Sequence, residues 1–209
     1  MGLKKSASAA LHAVQPRHPA RDVAGLTAQL ADADAAVRRW AARDLAEADT
    51  ADAAPVLCVQ LVRETDASVR EALFTSLARL GGEPVVAGVL PLLRSEEPAL
   101  RNGTIELLAQ LPDATVPHVQ ALLADADADV RIFAVNLLGA LPHPQVPQWI
   151  AQVLEGETEP NVVGAALEVA AEVGGLDTLP ALRALAARFP QDPFIGFAAA
   201  LAVERIEGA

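Results

Sequence analysis

The chain contains no tyrosine, one cysteine and one methionine, and aromatic residues make up only 3% of it. A core this poor in aromatic bulk is a bad match for a sheet, whose pleated faces favour aromatic and β-branched side chains. With Cys58 alone, no internal disulfide can form, and a reducing cytoplasm is the expected setting. Basic residues are in deficit: 16 Lys and Arg stand against 27 Asp and Glu, a net charge of −11. A phosphate backbone is held through clustered Lys and Arg, so nucleic acid is not an expected partner. Charges or prolines interrupt every apolar run before it reaches the roughly 20 residues that span a bilayer, and no membrane association is expected. The opening "MGLKKSASAALHAVQPRHPARD" is too polar for a secretory signal. "MGLKKS" does fit the permissive myristoylation pattern. Residues 1–20 are expected to form a flexible lead-in.

What the chain has in plenty is Ala, Leu and Val, within a hydrophobic fraction of 52%. Small, helix-favouring side chains let helix axes approach closely. One phrase recurs: "DAAVRRWAARDLA" from Asp34, "DASVREALFTSLARL" from Asp66, "EPALRNGTIELLAQL" from Glu97 and "DADVRIFAVNLLGAL" from Asp127. Its apolar ruler residue falls at Val37, Val69, Leu100 and Val130, at intervals of 32, 31 and 30 residues. The same pitch continues to Val162 and Phe194. A fixed period near 30 residues is the signature of stacked repeats.

Each unit holds two helical segments. In the second, apolar residues follow the ruler at +3, +4, +7, +8 and +11, the stripe of a helix with one wide buried face. The first is shorter and carries Pro near its start, at Pro55, Pro117, Pro147 and Pro180, where a missing N–H costs nothing. Three residues before the ruler stands an acid: Asp34, Asp66, Glu97, Asp127 and Glu159. An acid there caps orphaned backbone N–H groups and faces the positive end of the helix dipole. Pro98, Pro160 and Pro193 mark the same boundary. Four residues after the acid come Arg38, Arg70, Arg101 and Arg131, placed to pair with their own acid or with the acid of the neighbouring unit as a structural ladder. Gly81-Gly82 and Gly174-Gly175 are expected to close second helices as left-handed caps. A two-helix unit cannot bury its stripe alone, whereas stacked units share one core.

A unit of about 30 residues, with Pro in helix one and Asp-x-x-Val-Arg opening helix two, resembles HEAT-like repeats. The closest flavour is the short bacterial type also found in phycobilin lyases. The resemblance covers about residues 22–206. It implies an all-α, right-handed α-solenoid of about six helical hairpins, an armadillo-like superhelix whose second helices line the concave side. The units lie near 21–48, 53–82, 83–113, 114–144, 145–175 and 176–207 within a single domain, 21–209. The pattern fades at the end. Val163 stands where the fifth unit should have Arg, and in the sixth Gln191 replaces the acid and Ile195 the Arg, as a capping unit would show.

No catalytic constellation emerges. His12, His18, His118 and His143 include no pair at i, i+4. There is no His-Glu dipeptide of the kind that holds iron in deoxyhypusine hydroxylase, a HEAT-like repeat enzyme. Cys58, in "VLCVQL", has no basic neighbour and reads as a small buried hydrophobe. "ADADADV" lacks the glycine and terminal glutamate of a calcium loop. No cofactor or metal is expected. What remains is surface. At +2 the second helices carry Arg39, Glu71, Asn102, Ile132 and Gly164, and at +6 Arg43, Thr75, Glu106, Asn136 and Glu168. This strip runs from basic to acidic. Arg39, Arg43, Asn102, Glu106, Ile132, Asn136 and Glu168 are the candidate partner-binding residues, Ile132 being apolar where a wet position is expected. Trp40 and Phe133, at +3, are assigned to the core, and Trp149 fits either core or surface. The expected function is a non-enzymatic scaffold or adaptor of the bacterial cytoplasm that binds another protein on its concave face, in signalling or cofactor maturation. The alternative, carried by the resemblance alone, is a bilin lyase-like or chaperone role in tetrapyrrole attachment.

Overall fold

Short acidic side chains set where the second helices begin. In a computed structural model that describes residues 22–48 and 50–208, the Asp34 carboxylate accepts from the backbone N–H of Ala36 at 2.8 Å. Asp66 accepts from Ser68 and Val69, Asp127 from Asp129, and Asp192 from Phe194 and Ile195. Glu97 and Glu159 stand at the same position without a side-chain cap bond, because the extra methylene carries the carboxylate past the first turn. The lead-in segment, its myristoylation pattern, His12 and His18 lie outside the described residues.

Twelve α-helices result among the described residues: α1 (Val23–Gln29), α2 (Ala35–Ala48), α3 (Ala53–Arg63), α4 (Ala67–Leu80), α5 (Gly82–Val89), α6 (Pro98–Ala109), α7 (Pro112–Leu123), α8 (Ala128–Ala140), α9 (Val146–Gly156), α10 (Pro160–Val173), α11 (Leu179–Arg188) and α12 (Pro193–Glu207). A 3₁₀ turn, Leu90–Arg94, continues α5 through Pro91. The even-numbered second helices form an unbroken row, each packed on the next from α2 to α12. In the row of first helices α3 packs on α5, α5 on α7 and α9 on α11. Between α7 and α9 lies a cavity of about 380 Å³, with Gln120 bonded to Gln152 from one helix to the other. The core follows suit, as two clusters that meet at α8, where Leu137 belongs to the first and Leu138 to the second. The fold is an all-α solenoid.

Four readings of the sequence need correction. Pro117 lies inside α7 rather than near its start, because Pro112 takes the first helical position five residues earlier. Gly81 and Gly82 do have positive φ, +61° and +77°, but Gly174 is extended, at φ −64° and ψ 144°. Glycine is needed at 174 for space, since a Cβ there would lie 2.3 Å from the carbonyl oxygen of Ala170. In the sixth unit the capping acid is Asp192 and the buried ruler residue is Ile195, one position later than the constant pitch suggests. Gly196 therefore stands in the arginine place, and Phe194 is exposed.

The fourth correction concerns the ladder. Among the described residues, none of the four arginines pairs with its own capping acid; the oxygens of Asp34, Asp66 and Asp127 are turned to the N–H groups of their own helix. Arg38 binds Glu64 with two parallel hydrogen bonds, both 2.9 Å, and donates to the carbonyls of Asp32 and Ala33. Arg131 repeats this on Glu157 at 2.7 and 3.2 Å, with the carbonyls of Asp125 and Ala126 behind it. Glu64 and Glu157 sit at the C-terminal ends of α3 and α9, two residues before the capping acid. Arg70 does reach the neighbouring capping acid, Glu97, for Ser95 occupies the place of Glu64 in that unit. Arg101 meets neither kind of acid. Arg94 has taken Asp125, and the Arg101 guanidinium lies 5.2 Å from the centre of the Phe133 ring with its Nε buried and unbonded.

Glu64 is only 4% exposed, and the Arg38 hydrogen bonds, aided by Gln60 and the N–H of Asp66, outweigh its burial and hold its carboxyl down to about 2. An ordinary glutamate titrates near 4.5, so the stability this anion lends is complete above that pH and is lost as pH falls toward 2. Glu64→Gln is expected to cost about 3 kcal/mol at neutral pH, because Arg38 is left without its charge partner. The variant's urea midpoint should also vary less between pH 4.5 and 2 than the parent's. The two arginine sites should respond differently. Arg38→Met strands a buried carboxylate and is expected to cost about 3–5 kcal/mol, whereas Arg101→Met, which gives up one hydrogen bond to the Ser95 carbonyl and no ion pair, should cost only about 1 kcal/mol in the same denaturation series.

Candidate interaction surface

The second-helix row has one face turned away from the first helices, and +2 and +6 of each unit define it. Grooves between successive second helices follow this face. Arg39, Trp40 and Arg43 of α2 line the first, opposite Ser68, Glu71 and Thr75 of α4. Glu71 and Thr75 also line the next, opposite Gly103, Glu106 and Gln110 of α6, with Phe74 between. Gly103 permits that close approach, since a Cβ there would fall 2.5 Å from the Phe74 ring. A third groove, between α10 and α12, is lined by Gly164 and Glu168 together with Phe194 and Leu201.

Of the candidate residues, Arg43, Asn102, Glu106, Asn136 and Glu168 are exposed on this face, and Arg39 is half-buried, donating to the Ser68 hydroxyl at 3.0 Å. Ile132 is not the wet apolar residue expected. It is half-buried against the core of the last units, because +2 borders the following second helix rather than the crest. Trp40, assigned to the core, is 60% exposed, with the Arg43 guanidinium 5.3 Å from its ring centre. This +3 residue lines the groove between α2 and α4. Phe133, at the same position with α6 before it, packs partly against the core. Trp149 is buried and stacks on His143 at 5.1 Å.

The sequence reading passed over the residues at the far end of this face. With Ile195 on the ruler, Phe197 falls at +2 and Leu201 at +6, so both rows end in large apolar side chains. The signal was present: Asp192-Pro193 repeats the acid-proline boundary of Glu97-Pro98 and Glu159-Pro160. Glu64 and Glu157 were also legible, in the repeated "ETD" and "ETE" before the second helix.

Cys58 and His118 are held in packing and pairing. Burial pushes the Cys58 thiol up to about 11, so it is not a thiolate at neutral pH. A Cβ at Gly88 would meet its sulfur at 2.6 Å, which places Cys58 in the packing between α3 and α5. His118 faces Glu83 at 3.1 Å. Among the described residues no three His, Cys, Asp or Glu side chains gather as a metal requires, and no helix is long and apolar enough to cross a membrane.

Comparison with known proteins agrees with this architecture. The family model described as HEAT repeats matches residues 23–109, 86–159 and 115–204. The bilin biosynthesis protein PecE of Mastigocladus laminosus is 29% identical over 127 residues, which cover 60% of this chain and 46% of that protein. The chain thus spans less than half the length of this relative. Among solved structures, the archaeal HEAT-like repeats protein of Thermococcus onnurineus is 16% identical, with 89% of this chain and 87% of that one covered and a TM-score of 0.44. The complex of CpcE and CpcF of the phycocyanin lyase of a Nostoc species is also 16% identical, with 99% of each chain covered and a TM-score of 0.37. With matches that run from residue 23 to residue 204 over six stacked hairpins, the chain belongs to the HEAT repeat family.

Proposed function

We propose that the chain is a non-enzymatic scaffold of the bacterial cytoplasm that holds a partner protein on the concave side, on the face of its second helices turned away from the first helices. One observation carries this reading: the aromatic side chains that stand most exposed, Trp40, Phe194 and Phe197, all belong to second helices. In a chain so poor in aromatics, leaving three of the largest uncovered costs solubility unless something binds there. Trp and Arg are the residue types that most often anchor protein interfaces, and Arg39, Trp40 and Arg43 cluster at one groove. Asn102, Glu106, Asn136 and Glu168 supply a polar surround along the rest of the face.

A bilin-handling role is the second reading, supported by the likeness to PecE. The two separate cleanly. Immobilised chain should retain a partner from a lysate of the source organism, and Trp40→Ala combined with Arg43→Glu should weaken retention by about 30-fold or more, the range of an interface hot spot. Val62→Ser, on exposed α3, should leave retention unchanged. Loss with the Val62 variant and none with the Trp40 variant would move the site to the other row. Titration with an open-chain tetrapyrrole is expected to leave the Trp40 fluorescence unaltered; saturable quenching with a shifted bilin absorption would favour the second reading.

A further inference from the structure

The last unit leaves its large apolar side chains uncovered. On α12, Phe194, Phe197 and Leu201 are 61%, 64% and 49% exposed. Their spacing, i, i+3 and i+7, makes them a single stripe along the helix. Beside the stripe runs the groove between α10 and α12, about 260 Å³, with a floor of small residues that includes Gly164, Ala171, Ala198 and Ala202. Phe194 and Leu201 wall this groove, whereas Phe197 stands outside it as a free knob. A Cβ on Gly164 would already touch the Phe194 ring at 4.0 Å, so a larger residue there would narrow the opening. Glu168 and Arg205 also line the groove, and among the described residues neither has an ionic partner.

The same patch therefore carries an aromatic knob and an apolar hole, an anion and a cation. A surface that holds both halves of each complementary pair fits a copy of itself turned about a two-fold axis. We propose that the α10–α12 face is an isologous contact between two copies of this chain, in which Phe197 of each enters the groove of the other and Arg205 of each meets Glu168 of the other. A helix from a different protein would fill the hole, but the presence of the matching knob and of both charges on one patch would then serve nothing. The patch is small beside a standard interface, so the dimer is weak and depends on concentration. This contact takes Phe194 and Phe197 from the exposed aromatics of the scaffold reading and leaves it the Arg39–Trp40–Arg43 groove, which the lysate retention assay tests by itself, so failure of either is read separately.

Sedimentation equilibrium of the full chain, from micromolar to sub-millimolar concentration, reads the contact directly. The expected result is a reversible monomer–dimer equilibrium. Phe197→Asp should weaken it at least about tenfold with the helical circular dichroism unchanged. Glu168→Arg and Arg205→Glu should each weaken it severalfold, and the double charge swap should recover most of the loss, because a two-fold contact restores both pairs at once. A chain that stays monomeric throughout overturns the proposal and assigns the groove to a foreign partner. So does a dimer indifferent to Phe197→Asp, or a double swap no better than either single change.

Discussion

Glu64 and Glu157 each hold three parts of the solenoid together. One carboxylate ends its own first helix, accepts from two N–H groups of the following turn, and receives the paired hydrogen bonds of an arginine from the unit before. The same arginines close back on the carbonyls of their own preceding turn. At these two steps one ion pair with both carboxylate oxygens engaged thus ties a hairpin to the next. Isolated buried pairs are poor stabilisers, since desolvation offsets their attraction. Here the return is positional. A hydrophobic seam made of Ala, Leu and Val slides easily, and a two-pronged guanidinium–carboxylate contact admits one register.

Where that contact is missing, the arginines find other partners. In the step from the second unit to the third, Ser95 stands where glutamate would be and Arg70 turns to Glu97. In the step from the third to the fourth, Asp125 stands there, Arg94 has claimed it, and Arg101 rests on the Phe133 ring. The boundary between the two core clusters falls at α8, and the cavity between α7 and α9 lies one step further on, lined in part by the Arg131–Glu157 pair. An unbroken second-helix row carries the chain past this point, so the exposed face runs on while the first-helix row opens. A scaffold built this way has its give on the side opposite the proposed contacts.

The local physics was legible in the sequence and the neighbour-dependent physics was not. Caps at Asp34, Asp66 and Asp127 and the stripes of the second helices depend on residues within a turn or two, so their pattern survives in one dimension. Trp40 and Phe197 depend on which helix lies beside them. Trp40, at +3 of α2, and Phe197, at +2 of α12, stand exposed, whereas Phe133, at +3 of α8, packs partly against the core. Ile132 is the converse, a +2 residue that an interior neighbour covers. The ladder partner was missed for a related reason. The acid nearest Arg38 in sequence is its own cap, but the helix N-terminus has already claimed that carboxylate, leaving the next unit's glutamate as the free acceptor.

The exposed face carries two different kinds of large uncovered side chain. At +2 and +3 the units from α4 to α10 hold Glu71-Ala72, Asn102-Gly103, Ile132-Phe133 and Gly164-Ala165, whereas α2 leaves Trp40 uncovered and α12 leaves Phe197 uncovered. A cationic tryptophan site on α2 and an apolar stripe on α12 thus stand far apart along the described row of second helices. Two copies joined through their α12 stripes would face outward with two separate Arg39–Trp40–Arg43 sites. A partner with two epitopes, or two partners on one surface, would then gain from the second engagement as an intramolecular step. The polar middle, with Asn102, Glu106 and Asn136, adds little affinity of its own and keeps the face between the two sites wet, which holds the ends apart as distinct contacts rather than one continuous sticky strip.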